Sequence, residues 1–138
     1  MAQVATILGV DPGTRRVGLA IADLETRFAR ALEVVPASRK GIERIIEVAQ
    51  ERGAVTIVVG KPVSLSGADG RAVDEQRSFV ARLRAVTTIP VEEYDERFTT
   101  VVAETAMRAA GTRAKDREEV RDAVAAQVLL QGFLDATR

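Results

Sequence analysis

Hydrophobic spacing along the chain changes period several times, and each change predicts an element. Val4 to Val10 (VATILGV) is an apolar run suited to a strand covered on both faces. It stops at Asp11-Pro12-Gly13-Thr14, a turn sequence, and Arg16 to Ala22 (RVGLAIA) reads as a second strand, so the two predict a hairpin. Ala29 to Val35 predicts a third strand, ended by Pro36. The spacing then becomes helical: Ile42, Ile45, Ile46 and Ala49 share one face of a helix closed by Gly53. Val55 to Gly60 (VTIVVG) is a further buried strand, and Lys61 to Gly70 (KPVSLSGADG) is a loop. Arg71 to Val86 predicts a helix with Val73, Val80 and Leu83 inward, and Ile89 to Tyr94 a short strand. Thr100 is placed to cap a helix to Ala110, with Gly111 as its stop. Asp116 with Glu119 resembles a capping box opening a last helix from Arg117 to about Ala136.

The order is therefore β-β-β-α-β-α-β-α-α. Short links between the first three strands predict an antiparallel meander, and strands that arrive through helices predict parallel additions to the same sheet. The expected fold is α/β: a mixed five-stranded sheet, three antiparallel then two parallel strands, flanked by helices. That is a ribonuclease-H-like pattern. No repeat, low-complexity tract or linker divides the 138 residues, so a single domain over 1–138 is expected.

Composition narrows the chemistry. The chain has no His and no Cys, which excludes Ser-His-Asp and Cys-His nucleophile pairs, thiolate chemistry, disulfides and zinc sites built from either residue. Catalysis must rest on carboxylates, Arg or Lys, hydroxyls, backbone amides or a metal held by oxygen. Lys+Arg and Asp+Glu are both 20, so a strongly basic nucleic-acid binder is disfavoured, although net charge says nothing about local patches. The cations are mostly Arg, which suits bidentate phosphate contacts; a GC-rich genome would produce the same bias. No apolar run reaches the roughly 20 residues of a membrane span, and a cytoplasmic location without membrane association is expected.

Three carboxylates stand in unusual places. Asp11 ends the first apolar strand, where it could equally serve as the first residue of an Asx-turn. Asp95 follows Val91-Glu92-Glu93-Tyr94 where a strand meets a helix; by itself it reads more simply as part of an acidic rim, compensated in part by Arg97. Asp122 lies inside the last helix on a stripe with Ala126, Leu129 and Phe133. A carboxylate on a core-facing stripe is costly unless it is paired, here with Arg97 or Arg121, or bound to metal. Together the three change the balance. The carboxyl ends of adjacent parallel strands open at one edge of the sheet, where ligands of such sheets bind, and a covering helix can bring Asp122 there. Three hard oxygen donors without His or Cys suit Mg²⁺ or Mn²⁺, and two such ions can drive phosphodiester hydrolysis without a histidine base.

Four segments then carry a resemblance. ILGVDPGTRRVGLAIAD (Ile7–Asp23), VVGKPVSLSGADG (Val58–Gly70), YDERFTT (Tyr94–Thr100) and RDAVAAQVLLQGFL (Arg121–Leu134) occur in that order. They resemble the signature blocks of the YqgF/RuvX family, whose members are described as pre-16S rRNA nucleases and Holliday junction resolvases. The resemblance implies a ribonuclease-H-like fold, a bacterial cytoplasmic protein and processing of the 5′ end of the 16S rRNA precursor. It also implies metal-binding acids at Asp11, Asp95 and Asp122. Pro12, Lys61 and Arg121 depart from the family pattern without removing a carboxylate. Asp95 is favoured over Glu96 as the second ligand; strand alternation puts the two on opposite faces.

Thr14, Arg15 and Arg16 in the turn after Asp11 are expected to contact substrate phosphate, with Lys61 and Arg97 adding positive charge; a solvated hairpin tip would look the same. GKPVSLSG is not a Walker A motif. Arg71, Arg77, Arg82 and Arg84 read more simply as a solvated helix face. With Tyr94 and four Phe there is no aromatic platform for unpaired bases, so binding should rest on phosphate and be salt-sensitive. The expected function is a metal-dependent nuclease acting on RNA, with branched DNA as a second substrate, in a monomer or homodimer. The alternative is a non-catalytic nucleic-acid-binding factor of ribosome maturation or transcription. A third reading, a phosphate-binding hairpin like that of actin-like ATPases, lacks the second lobe such enzymes need.

Overall fold

Residues 4–61, 70–95 and 117–137 are described by the computed structural model. They form β1 (Thr6–Pro12), β2 (Arg16–Asp23), β3 (Arg30–Pro36), α1 (Arg39–Glu51), β4 (Ala54–Lys61), α2 (Gly70–Val86), β5 (Val91–Asp95) and α3 (Arg117–Ala136). The expected loop over 62–69, the helix from Thr100 to Ala110 with its Gly111 stop, the cap at Asp116, and Glu96 and Arg97 lie outside the described residues.

The sheet order is β3-β2-β1-β4-β5. β1 pairs antiparallel with β2, which pairs antiparallel with β3. β4 adds parallel to β1, and β5 parallel to β4. The expected mixed sheet is therefore observed, with the most apolar strand at its centre.

Period-2 alternation sends each strand's side chains to two different cores. Leu8, Val10, Val17, Leu19, Ile21, Ile57 and Val59 pack under Ile42, Ile45, Val48 and Ala49 of α1 and Val80 and Leu83 of α2. Ile7, Ala20, Ala22 and Val58 face the other way, against Ala126, Leu130 and Leu134 of α3. At roughly 1.5–3 kcal/mol for each large aliphatic side chain taken from water, the two-helix face carries most of the hydrophobic stabilisation. Arg44 of α1 grips Glu33 of β3 through Nε–Oε2 and Nη2–Oε1 contacts, both 2.9 Å. α1 stops where expected: Arg52 caps it and Gly53 follows with φ 66°, a conformation that costs glycine no Cβ clash.

Most strand boundaries shift by a residue or two from expectation, and two of these shifts concern the acids. The turn lies two residues later than predicted. Asp11 and Pro12 still pair with Gly18 and Val17, and the reversal is closed by the Gly13 N–H donating to the Arg16 carbonyl at 3.0 Å. Pro12 is tolerated because it stands at the end of its strand, where a missing N–H costs little. β5 begins at Val91 because Pro90 cannot continue the ladder, although its carbonyl accepts from Ile57 N–H at 2.9 Å. Asp95 is thereby the last residue of that strand.

Candidate active site at the carboxyl edge of the sheet

Asp11 sits at the carboxyl end of the central strand, half-buried. Gly9, two residues earlier on the same face, lies under α3: a Cβ there would meet Leu130 Cβ at 2.8 Å. Alternation therefore directs Asp11 to the α3 side. Its partner across the ladder is Gly18, and a Cβ on Gly18 would stand 1.9 Å from the carbonyl oxygen of Asp122. Glycine at this position lets the amino-terminal turns of α3 rest on the backbone of β2. Directly opposed residues point to the same face, so the place where Asp122 meets the sheet is beside the Asp11 side chain. A two-residue alternation in β2 and a four-residue spacing in α3 produce the meeting: Asp122, Ala126, Leu130 and Leu134 form the stripe that faces the sheet.

Asp122 is held by Arg16, whose Nε donates to Oδ2 at 2.8 Å. This corrects the expected partners: Arg121 is exposed, Arg97 lies outside the described residues, and the pairing cation comes from the hairpin instead. Arg16 shares a face of β2 with Gly18, Ala20 and Ala22 through period 2, and that periodicity was the signal available in the sequence. The side chains of Arg16 and Asp122 are 33% and 27% exposed, so solvent screens the pair.

The remaining residues divide. Thr14 and Arg15 are exposed at the hairpin tip, with the Arg15 carbonyl accepting from Ala37 N–H at 2.8 Å. Lys61 is exposed at the end of β4 and is the register partner of Asp95. Tyr94 stacks edge-on against Phe133 of α3, ring centroids 5.8 Å apart. Alternation then turns Asp95 toward the face opposite Asp11 and Asp122, across two strand spacings or about 10 Å. Among the described residues no three acids converge into a group able to hold a metal ion. The structure thus brings Asp11, Asp122 and Arg16 to one spot, sets Thr14 and Arg15 at the adjoining turn, and leaves Lys61 and Asp95 at the carboxyl ends of β4 and of the edge strand β5. Gln76, buried beneath β4, donates to the Gly60 carbonyl at 3.5 Å and supports that edge from the other face; nothing in its own spacing had marked it.

A family model, RuvX: Holliday junction resolvase, matches residues 5–136. The chain belongs to the RuvX family. A candidate pre-16S rRNA nuclease of Chloroflexus aggregans is 42% identical over 135 residues, covering 96% of this chain and 95% of the relative. One from Anaeromyxobacter dehalogenans is 42% identical over 132 residues, covering 93% and 95%. Among solved structures, T. thermophilus RuvC in complex with a Holliday junction substrate superposes with a TM-score of 0.59 at 18% identity, over 96% of this chain and 95% of that one. The fowlpox virus resolvase with Holliday junction DNA gives 0.56 at 9% identity, over 96% and 98%. At such identities these structures establish the shared ribonuclease-H-like fold. Asp11, Arg16 and Asp122 all lie within the matched residues 5–136.

Proposed function

We propose that this RuvX-family chain is a divalent-metal-dependent nuclease of the cytoplasm that hydrolyses phosphodiester bonds at the 5′ end of the 16S rRNA precursor, with branched DNA as a second substrate. The observation that carries this reading is the placement of Asp11 and Asp122 on one face at the carboxyl edge of the sheet, with Gly18 between them. The names of the relatives supply the substrate class, RNA for the curated proteins and Holliday junctions for the solved structures.

The donor set fits Mg²⁺ or Mn²⁺ in kind, being carboxylate oxygen in a chain without His or Cys. Asp11 and Asp122 would hold the ions. Asp95, at the end of β5, is the proposed third ligand, and to serve it must leave the strand position in which it pairs with Lys61. When bound, a pair of divalent ions supplies the positive charge that activates water and offsets charge on the leaving oxygen. The protein's own part is positioning. The β1–β2 ladder fixes Asp11 opposite Gly18, α3 fixes Asp122 above it, and the exposed Thr14 and Arg15 at the adjoining turn contact the phosphates that flank the cut. Arg16, Lys61 and Arg97 extend that phosphate track. Resolution of a four-way junction requires two opposed cuts and hence two copies of the chain.

The decisive assay presents matched single-stranded RNA, duplex and four-way junction substrates with Mn²⁺, Mg²⁺ or chelator. Wild type should cleave only with metal, and Asp11→Asn should lose at least roughly 100-fold in rate at an unchanged melting temperature. Undiminished cleavage by Asp11→Asn removes the proposal.

A further inference from the structure

Arg16 and Asp122 form a pair whose function is not exhausted by holding the helix down. We propose that Arg16 is a stand-in cation on Asp122, which exchanges with a divalent ion and is released by that exchange to bind substrate phosphate. The inference rests on the divalent-metal reading of Asp11 and Asp122 and adds to it a coupling between metal loading and substrate grip.

Three observations support it. The guanidinium contacts the carboxylate through Nε on Oδ2 at 2.8 Å, so it occupies an oxygen that an ion on Asp122 would use. The side chains are 33% and 27% exposed, which leaves the pair in contact with solvent and screened by it. The residue also starts β2 directly after the exposed Thr14 and Arg15, so a released guanidinium emerges beside the proposed phosphate track. Its planar fork of N–H donors matches phosphate as well as carboxylate. A divalent ion on the same carboxylate repels the guanidinium, and a nearby phosphate attracts it. Both forces act in one direction.

A purely architectural pair makes the opposite demand, since losing Arg16 would then loosen Asp122 and weaken metal binding. Mn²⁺ titration of the full chain without nucleic acid, followed by electron paramagnetic resonance of the free ion, separates the two. Arg16→Ala and Arg16→Gln should each bind Mn²⁺ roughly threefold to tenfold tighter than wild type, while Arg16→Lys, which keeps the charge, stays near wild type. Equal or weaker binding by both neutral variants overturns the exchange. Asp122→Asn separates this failure from a failure of the underlying reading: if it binds Mn²⁺ as wild type does, the metal site itself is wrong and the exchange falls with it. In a second measurement, the loss of affinity of Arg16→Gln for a fluorescent RNA should be several-fold larger with Ca²⁺ than with chelator. An equal loss in both refutes the release step.

Discussion

At its carboxyl end α3 is tied to the loop between β2 and β3 through two glutamine amides and one guanidinium, each bonded to backbone. Gln131 accepts from Ala29 N–H at 2.8 Å and donates to the Arg27 carbonyl at 3.1 Å, and Gln127 donates to the Ala29 carbonyl at 3.2 Å. Arg27 completes the set, its Nη2 donating to the Leu134 carbonyl at 2.8 Å, where a cation also favours the helix dipole. At its amino end the same helix rests on bare backbone at Gly18 and carries the solvent-screened Arg16–Asp122 ion pair. Amide ties to backbone have fixed geometry and no charge that another ion can displace. The charged tie can be exchanged. One helix thus carries amide ties at one end and the proposed chemistry at the other.

The largest expected effect tests the bare contact. Gly18→Val introduces a Cβ that would lie 1.9 Å from the Asp122 carbonyl oxygen, and no rotamer relieves a clash with backbone. It should cost about 3 kcal/mol or more and abolish cleavage, since α3 must lift away from Asp11. Urea denaturation that gives wild-type stability would remove the close approach on which the site is built. Next, Gln131→Ala leaves the Ala29 N–H and the Arg27 carbonyl without their partner and should cost about 1–3 kcal/mol. Its cleavage rate per folded molecule should match wild type; a large loss of rate would show that the two ends of α3 are not separable. Arg16→Ala should lower stability by about 1 kcal/mol or less, and by less still at high salt, because screened pairs contribute little.

The strand order, pairing directions and central strand were legible in the sequence because apolar runs and short links leave few ways to pair strands. Asp11 and Asp122 were legible too, each as a carboxylate at the margin of an apolar pattern. The partner of Asp122 was not, since Arg16, Arg97 and Arg121 are chemically equal and only the tertiary approach of α3 over Gly18 selects Arg16. The amide ties of Gln127 and Gln131 were hidden for a related reason: glutamine in a helix marks no period, and its acceptor loop lies about 100 positions earlier in the chain. Turn position misled where Pro12 suggested an end that the ladder did not obey.

The smallest effect probes the loop that receives the carboxyl end of α3. Asp23 accepts from Thr26 N–H at 2.6 Å, and that bond holds its carboxyl below the ordinary value of 3.8 against a partial desolvation that pushes it up; the Thr26 hydroxyl, Glu25 N–H and Arg30 assist. The folded state therefore releases this proton more readily than the unfolded chain, so the contribution is complete above about 3.8 and fades as pH falls through the folded value. Asp23→Asn keeps an acceptor for Thr26 N–H and removes the charge. Its melting temperature should lie slightly below wild type at neutral pH, with the gap closing as the solution is acidified below 3.8. A gap that stays constant into acid would mean that the loop is held by shape alone, and that charge on α3's surroundings matters only at the amino end.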